Sequence, residues 1–79
     1  MKVLKFGGTS VGSAKNINKV IDIVSNISKE TNVTVVVSAV GGITDKLLGV
    51  ASKAINKDET YKEDLAEIKT IHFDIIKAL

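Results

Sequence analysis

Apolar residues open the chain in two short runs, and each run stops at a pair of glycines. Residues 2–6 read Lys-Val-Leu-Lys-Phe before Gly7-Gly8, which predicts a short buried strand. Residues 33–40 read Val-Thr-Val-Val-Val-Ser-Ala-Val before Gly41-Gly42, a β-branched run typical of a strand covered on both faces. We therefore predict two strands, each followed by a glycine loop.

Three helices are predicted where apolar residues recur at steps of three and four. The first covers residues 13–28, and either Ser10 or Ser13 is its expected N-cap. The second covers residues 44–55. The third follows Thr60, which stands three residues before Glu63 as in a capping box, and it continues to Leu79. The apolar stripes of the three helices are Ile17, Val20, Ile21, Val24 and Ile27; Leu47, Leu48, Ala51, Ala54 and Ile55; and Leu65, Ile68, His72, Ile75 and Leu79.

The element order strand, helix, strand, helix, helix predicts an α/β fold. A crossover helix of this length joins two parallel strands by a right-handed connection. Two strands are too few for an independently stable sheet, and neither glycine nor proline stops the third helix. We expect residues 1–79 to form one incomplete piece of a larger α/β domain.

Composition narrows the possible partners and compartments. The 79 residues include no cysteine, which excludes disulfides and thiolate metal sites, and the apolar runs are too short to span a membrane. The first five residues are too brief for a signal peptide, so the cytoplasm is the expected location. All eleven basic residues are lysine, and only 4% of the chain is aromatic, which argues against a nucleic-acid partner.

Charge along the chain singles out its first quarter. Residues 1–21 contain four lysines and no acid, whereas residues 22–79 contain seven lysines and nine acids. The formal net charge of +2 thus divides into +4 and −2. A local positive segment of this size suits a small anion better than a polymer.

The first glycine loop, residues 5–10, has the residue types of a phosphate site. Glycines let the backbone approach an anion, the following helix offers unpaired N–H groups, and Lys5, Thr9 and Ser10 add a charge and hydroxyls. The loop is not a standard P-loop, because Ser13-Ala14 follows Gly12 where Lys-Ser/Thr is required, and the dinucleotide glycine pattern also fails. On these residues alone, phosphate binding and a plain turn remain equally good interpretations.

Other polar residues have simpler interpretations. In the second loop, Asp45 is expected to cap the second helix, and Thr44 is balanced between a cap and a ligand-binding role. His72 is interpreted as a packed histidine on an apolar stripe. The acidic run is interpreted as a solvated helix start rather than a metal site; its members are Asp58, Glu59, Glu63, Asp64 and Glu67.

The two loops also carry a resemblance to a known family. Residues 5–11, Lys-Phe-Gly-Gly-Thr-Ser-Val, resemble the N-terminal signature of the aspartokinases, and residues 37–45, Val-Ser-Ala-Val-Gly-Gly-Ile-Thr-Asp, resemble their second glycine loop. The resemblance implies the carbamate kinase-like three-layer αβα fold of amino acid kinases, with a parallel sheet. It also implies transfer of the γ-phosphoryl group of ATP to the side-chain carboxylate of L-aspartate. That reaction yields 4-phospho-L-aspartate in lysine, threonine and methionine biosynthesis.

The same resemblance assigns roles to individual residues. It implies that Lys5 neutralises charge on the transferring phosphoryl group and that Gly7 and Gly8 donate N–H groups to the β- and γ-phosphates. The flanking residues of the nucleotide site would be Phe6, Thr9 and Ser10, and those of the aspartate pocket Ser38, Ala39 and Thr44. It implies Mg²⁺ held through ATP, with no metal ligand from these residues, and a homo-oligomer.

The chain departs from the family pattern in length. The family's substrate-binding acid and arginine would lie beyond residue 79, and this chain has no arginine, so the isolated segment is expected to be inactive. Regulatory or homoserine dehydrogenase domains could follow in the parent protein. Two alternatives stay open, namely another amino acid kinase such as an acetylglutamate kinase, and a non-catalytic assembly fragment.

Overall fold

A computed structural model describes all 79 residues, and its elements follow the predicted order. They are strand β1 (Lys2–Phe6), helix α1 (Ala14–Ser28), strand β2 (Val33–Val37), helix α2 (Ile43–Ile55) and helix α3 (Tyr61–Ala78). The two strands pair in parallel, with Lys2 opposite Val33 and Phe6 opposite Val37. The predicted β-α-β-α-α order and parallel sheet are therefore confirmed, and α1 is the crossover helix.

Helix α1 begins at one of the two predicted caps. Ser13 has extended backbone angles, and its Oγ accepts a hydrogen bond from the N–H of Asn16 at 3.2 Å. Ser13, and not Ser10, is therefore the N-cap. The first turn of α1 contains no acid, which leaves the positive end of the helix without a competing carboxylate.

The second strand is shorter and the second helix starts earlier than predicted. Strand β2 ends at Val37, and only one further ladder-like bond follows, from the Ser38 N–H to the Phe6 carbonyl at 3.0 Å. Gly42 is the N-cap residue of α2, with φ of +83° and no side-chain cap. The expectation that Thr44 or Asp45 caps α2 is wrong, because the left-handed turn at Gly42 brings Ile43 into the helix and places both residues in its first turn.

The predicted capping box at α3 is also wrong. The Thr60 side chain accepts no bond from the helix, because its hydroxyl donates to Asp58 Oδ1 at 2.6 Å. The Thr60 N–H donates to the same oxygen at 3.0 Å. The N–H of Glu63 instead bonds the Thr60 backbone carbonyl at 3.1 Å. A local turn centred on Asp58 thus replaces the box.

This turn predicts a measurable shift in the titration of Asp58. The hydrogen bond from the Thr60 hydroxyl, followed by that from the Thr60 N–H, lowers the pKa of Asp58 from its ordinary value of 3.8. The turn is therefore stabilised above pH 3.8 and loses that contribution as the pH falls through the lowered value. We expect Thr60→Val to raise the pKa of Asp58 towards 3.8 in a carboxyl-carbon NMR titration.

Thr70→Val is the matched control for this titration. The Thr70 hydroxyl donates to the Ala66 carbonyl at 3.1 Å, within α3 and away from the turn. The control should leave the pKa of Asp58 where the unaltered protein has it. An unchanged pKa in Thr60→Val would contradict the assignment of the shift to the hydroxyl.

The interior is small and lies along the α2–α3 pair. Ile43 and Ile68 are the two buried residues, at 3% and 7% exposure. Two ion pairs join the helices, Lys46 to Glu67 at 2.9 Å and Lys53 to Asp64 at 2.7 Å. The hydrogen bond to the Asp64 carboxylate raises the pKa of Lys53.

Much of the remaining apolar surface is uncovered. Val35, Val36 and Val37 of β2 are exposed, so this strand is not covered on both faces within these residues; α1 is the helix that contacts it. The radius of gyration is 15.9 Å over extents of 52 × 24 × 14 Å, whereas a compact chain of this length has about 12 Å. No helix combines the length and apolarity needed to cross a membrane.

Candidate functional site

Both glycine loops lie at the carboxyl edge of the sheet, as the sequence predicts. The first loop leaves β1 at Gly7, and the second leaves β2 at Ser38. The loops contact each other directly, because the N–H of Gly41 donates to the carbonyl oxygen of Gly8 at 3.0 Å. In open α/β sheets this edge is where ligands bind.

The first loop presents a run of backbone donors without partners in the chain. The N–H groups of residues 7–10 donate to no backbone or side-chain acceptor, whereas the turn behind them is closed by a bond from the Gly12 N–H to the Thr9 carbonyl at 3.2 Å. The four residues are Gly7, Gly8, Thr9 and Ser10. Successive free amides close to the start of a helix are the type of donor that an anion such as a phosphate accepts from.

The predicted site residues divide between the two loops. Lys5 lies in β1 opposite Val36 with an exposed side chain, and the rest of the first group follows it into the loop. Ser38 and Ala39 follow the end of β2, and Thr44 lies in the first turn of α2; all three are exposed. The edge of the sheet thus brings the two predicted groups close in the fold, and their individual roles stay predictions.

A cavity of about 260 Å³ lies between the first loop and α1. It combines an apolar floor with a polar rim, and its lining residues are Phe6, Thr9, Ser10, Asn16, Lys19, Val20 and Ile23. Three of the predicted nucleotide-site residues line it, namely Phe6, Thr9 and Ser10. Lys5, the two loop glycines and the second loop do not.

Asn16 is a residue of this site that the sequence analysis missed. Its side-chain Nδ2 donates to the Thr9 carbonyl oxygen at 3.0 Å, so the first turn of α1 holds the loop from behind. Its position in the sequence could have indicated it. Asn16 is one turn beyond the cap Ser13, and Lys19 follows three residues later on the same side of the helix. Both residues line the cavity beside the first loop.

Several charged residues outside the loops are engaged in local contacts. A second cavity, of about 170 Å³, is lined by Lys46, Gly49, Asp64 and Glu67 beside the two interhelical ion pairs. Glu59 pairs with Lys62 at 3.1 Å. The Nδ1 of His72 lies 2.7 Å from the Ile68 carbonyl oxygen, as expected of a half-buried histidine packed on its own helix.

The structure is thus that of an α/β protein with a parallel β-α-β unit, in which two touching glycine loops and a row of free amides lie at one edge of the sheet. Residues 1–77 match the model of the amino acid kinase family. The chain belongs to the amino acid kinase family.

Several relatives match most of the chain. It is 43% identical over 77 residues to an aspartokinase of Chlamydia pneumoniae, a match of 98% of this chain and 16% of the relative. It is 41% identical over 64 residues to an aspartokinase of Geobacillus stearothermophilus, covering 80% of this chain and 16% of the relative. It is 38% identical over 77 residues to a bifunctional aspartokinase/homoserine dehydrogenase 2, chloroplastic, of Zea mays, covering 98% of this chain and 8% of the relative. The chain therefore spans a small part of each of these relatives.

Proposed function

We propose that this chain is the phosphate-loop segment of an aspartate kinase, which transfers the γ-phosphoryl group of ATP to the side-chain carboxylate of L-aspartate. The observation that carries the proposal is the row of four free amides at residues 7–10, which begins two residues after Lys5. Similarity to relatives named aspartokinase supports the choice of substrate. The product would be 4-phospho-L-aspartate, in lysine, threonine and methionine biosynthesis.

The first loop would bind the transferring end of the nucleotide. Gly7 and Gly8 donate N–H groups to the β- and γ-phosphate oxygens, flanked by Phe6 and by the hydroxyls of Thr9 and Ser10. Lys5 places a full positive charge beside the phosphoryl group, where negative charge must be stabilised during transfer. The donor set fits the ligand, because residues 1–21 hold four lysines and no carboxylate that would repel a phosphate.

The second loop would bind the acceptor. Thr44, Ser38 and Ala39 line the aspartate pocket, at the same sheet edge as the phosphate donors. Mg²⁺ supplies charge neutralisation on the phosphates and would be held through ATP, since the two loops contain no carboxylate and the nearest one along the chain is Asp45, in the first turn of α2. Positioning and charge stabilisation are the main contributions that a protein makes to this reaction.

The proposal includes a longer parent protein, of which residues 1–79 are the N-terminal part of the kinase domain. The small share of each relative that is matched supports this, as do the two buried residues and the extended shape. The segment alone would be inactive, since no arginine is present for the substrate. A cytoplasmic homo-oligomer is proposed for the parent, although several relatives are named as chloroplastic.

A substrate panel on the full-length protein tests the function. Acyl phosphate formed from ATP would be trapped with hydroxylamine, using L-aspartate and N-acetyl-L-glutamate as acceptors. We expect hydroxamate from L-aspartate and none above background from N-acetyl-L-glutamate. Product from N-acetyl-L-glutamate alone would instead identify another amino acid kinase.

A non-catalytic assembly segment is the second candidate. The observation that favours it is the exposure of Phe73, Ile76 and Leu79 on and after α3. Light scattering on residues 1–79 separates the two, since an assembly segment would form a defined oligomer by itself. A monomer with dispersed amide signals would contradict this second candidate.

A further inference from the structure

Three glycines pack closely where the two loops meet, and two of them approach the carbonyl oxygen of the third, Gly8. A Cβ at Gly41 would lie 3.1 Å from the Gly8 carbonyl oxygen, and a Cβ at Gly12 would lie 3.0 Å from the same atom. A Cβ at Gly8 would in turn lie 3.2 Å from the Ala39 carbonyl oxygen and 3.2 Å from the Gly41 Cα. All these neighbours are backbone atoms, which cannot rotate away as a side chain would.

The tight packing is specific to these positions. A Cβ at Gly7 or Gly42 would meet no atom within 4 Å, so the loops are not crowded throughout. The Gly41 N–H is also committed, since it donates to the Gly8 carbonyl oxygen at 3.0 Å, while the N–H of Gly8 makes no bond within the chain. Gly8 therefore has one polar group turned to the second loop and another available to a ligand.

We propose that the Gly8–Gly41 contact fixes the separation between bound nucleotide and bound acceptor, with Gly12 and Gly41 as positioning residues. The inference rests on the proposed function, which assigns phosphate to the first loop and the acceptor carboxylate to the second. Ligand binding on the Gly8 amide orders the Gly8 carbonyl and, through it, the Gly41 amide. Each substrate then binds to a loop that the other has already ordered.

Gly41→Ala is the test, and Gly49→Ala is its matched control. A methyl group at residue 41 must displace the Gly8 carbonyl by a few tenths of an ångström, whereas Gly49 lies within α2 with no atom near its Cβ position. Calorimetry on the full-length proteins would give the dissociation constant of L-aspartate with and without a methylene-bridged ATP analogue. The ratio of the two constants is the coupling factor, and it does not depend on the folded fraction.

We expect the analogue to tighten aspartate binding about fivefold or more in the unaltered protein and in Gly49→Ala. In Gly41→Ala the ratio should fall to about one, with each separate dissociation constant within about threefold, and turnover per folded molecule should fall about tenfold or more. Equal coupling factors in Gly41→Ala and Gly49→Ala, or no coupling in the unaltered protein, would overturn the inference. Absence of aspartate kinase activity in the unaltered protein would overturn the proposed function instead.

Amide hydrogen exchange on the unaltered protein keeps the inference testable if Gly41→Ala does not fold. The ATP analogue alone should slow exchange at the Gly41 amide, although the nucleotide is assigned to the other loop. The Gly49 amide, within α2, is the internal reference and should not respond. A Gly41 amide that exchanges at the same rate with and without the analogue would contradict the proposed coupling.

Discussion

Lys5→Ala is expected to lower the turnover of the full-length kinase about 10²-fold or more while leaving the fold intact. Removing one preorganised group that stabilises transition-state charge costs about 10²–10³ in rate. Lys5 is exposed in β1, two residues before the row of free amides begins, so its loss removes a charge and little packing. Turnover would be measured as aspartyl hydroxamate formed per folded protein.

Lys2→Ala is the control that separates the effect of losing a lysine at position 5 from the effect of losing one positive charge. Lys2 is an exposed lysine of the same strand, three positions before Lys5, so the two side chains stand on opposite faces of the sheet. Both variants lose one positive charge, but Lys2 lies at the far end of β1 from the loop. Turnover within about twofold of the unaltered protein in Lys5→Ala would contradict its assigned role.

The order of elements could be predicted because the pattern that decides it is local. Apolar steps of three and four, β-branched runs and glycine pairs identified all five elements. The parallel pairing then followed from the length of the crossover. Adjacent parallel strands necessarily bring the ends of β1 and β2 to one edge, so the placement of the two loops at that edge was predictable as well. The candidate phosphate site could also be predicted, because its residues, Lys5 to Ser10, are contiguous in the sequence.

Helix starts were harder to predict because several local hydrogen bonds compete for the same groups. Thr60 and Glu63 have the spacing of a capping box, yet the Thr60 hydroxyl donates its hydrogen bond to Asp58 instead of capping the helix. At α2 the deciding factor is the positive φ of Gly42, which a sequence pattern indicates only as a loop glycine. A shift of one residue was enough to move Thr44 and Asp45 from the cap into the helix.

The contacts that complete the site could not be predicted from the sequence, because they join residues distant along the chain. Gly8 meets Gly41 only after β1 and β2 have paired, and the sequence gives no distance between the two loops. Asn16 bonds back to Thr9 across the start of α1, a geometry set by where the helix begins. The element that covers β2 could not be predicted either. A valine-rich run indicates that a strand is buried, but not which element buries it.

Ile43→Ala is expected to produce the largest loss of stability of any single substitution in this segment. Ile43 is the most buried residue, at 3% exposure, and it stands between Gly42 and Thr44 at the first residue of α2. Replacing a buried isoleucine by alanine costs about 2–5 kcal/mol in the free energy of unfolding. Ile68 is the only other buried residue, so Ile43 contributes a large share of the buried apolar contacts in this segment.

Ile55→Ala provides the same chemical change at the other end of α2. Ile55 is 80% exposed, so its replacement should change the free energy of unfolding by less than about 0.5 kcal/mol. Urea unfolding of the full-length proteins, followed by circular dichroism, would compare the two. Equal midpoints in Ile43→Ala and Ile55→Ala would contradict the anchoring role of Ile43. Because Ile43 anchors the first turn of α2, which carries Thr44, we also expect Ile43→Ala to weaken aspartate binding at urea concentrations where the protein remains folded, and Ile55→Ala to leave it unchanged.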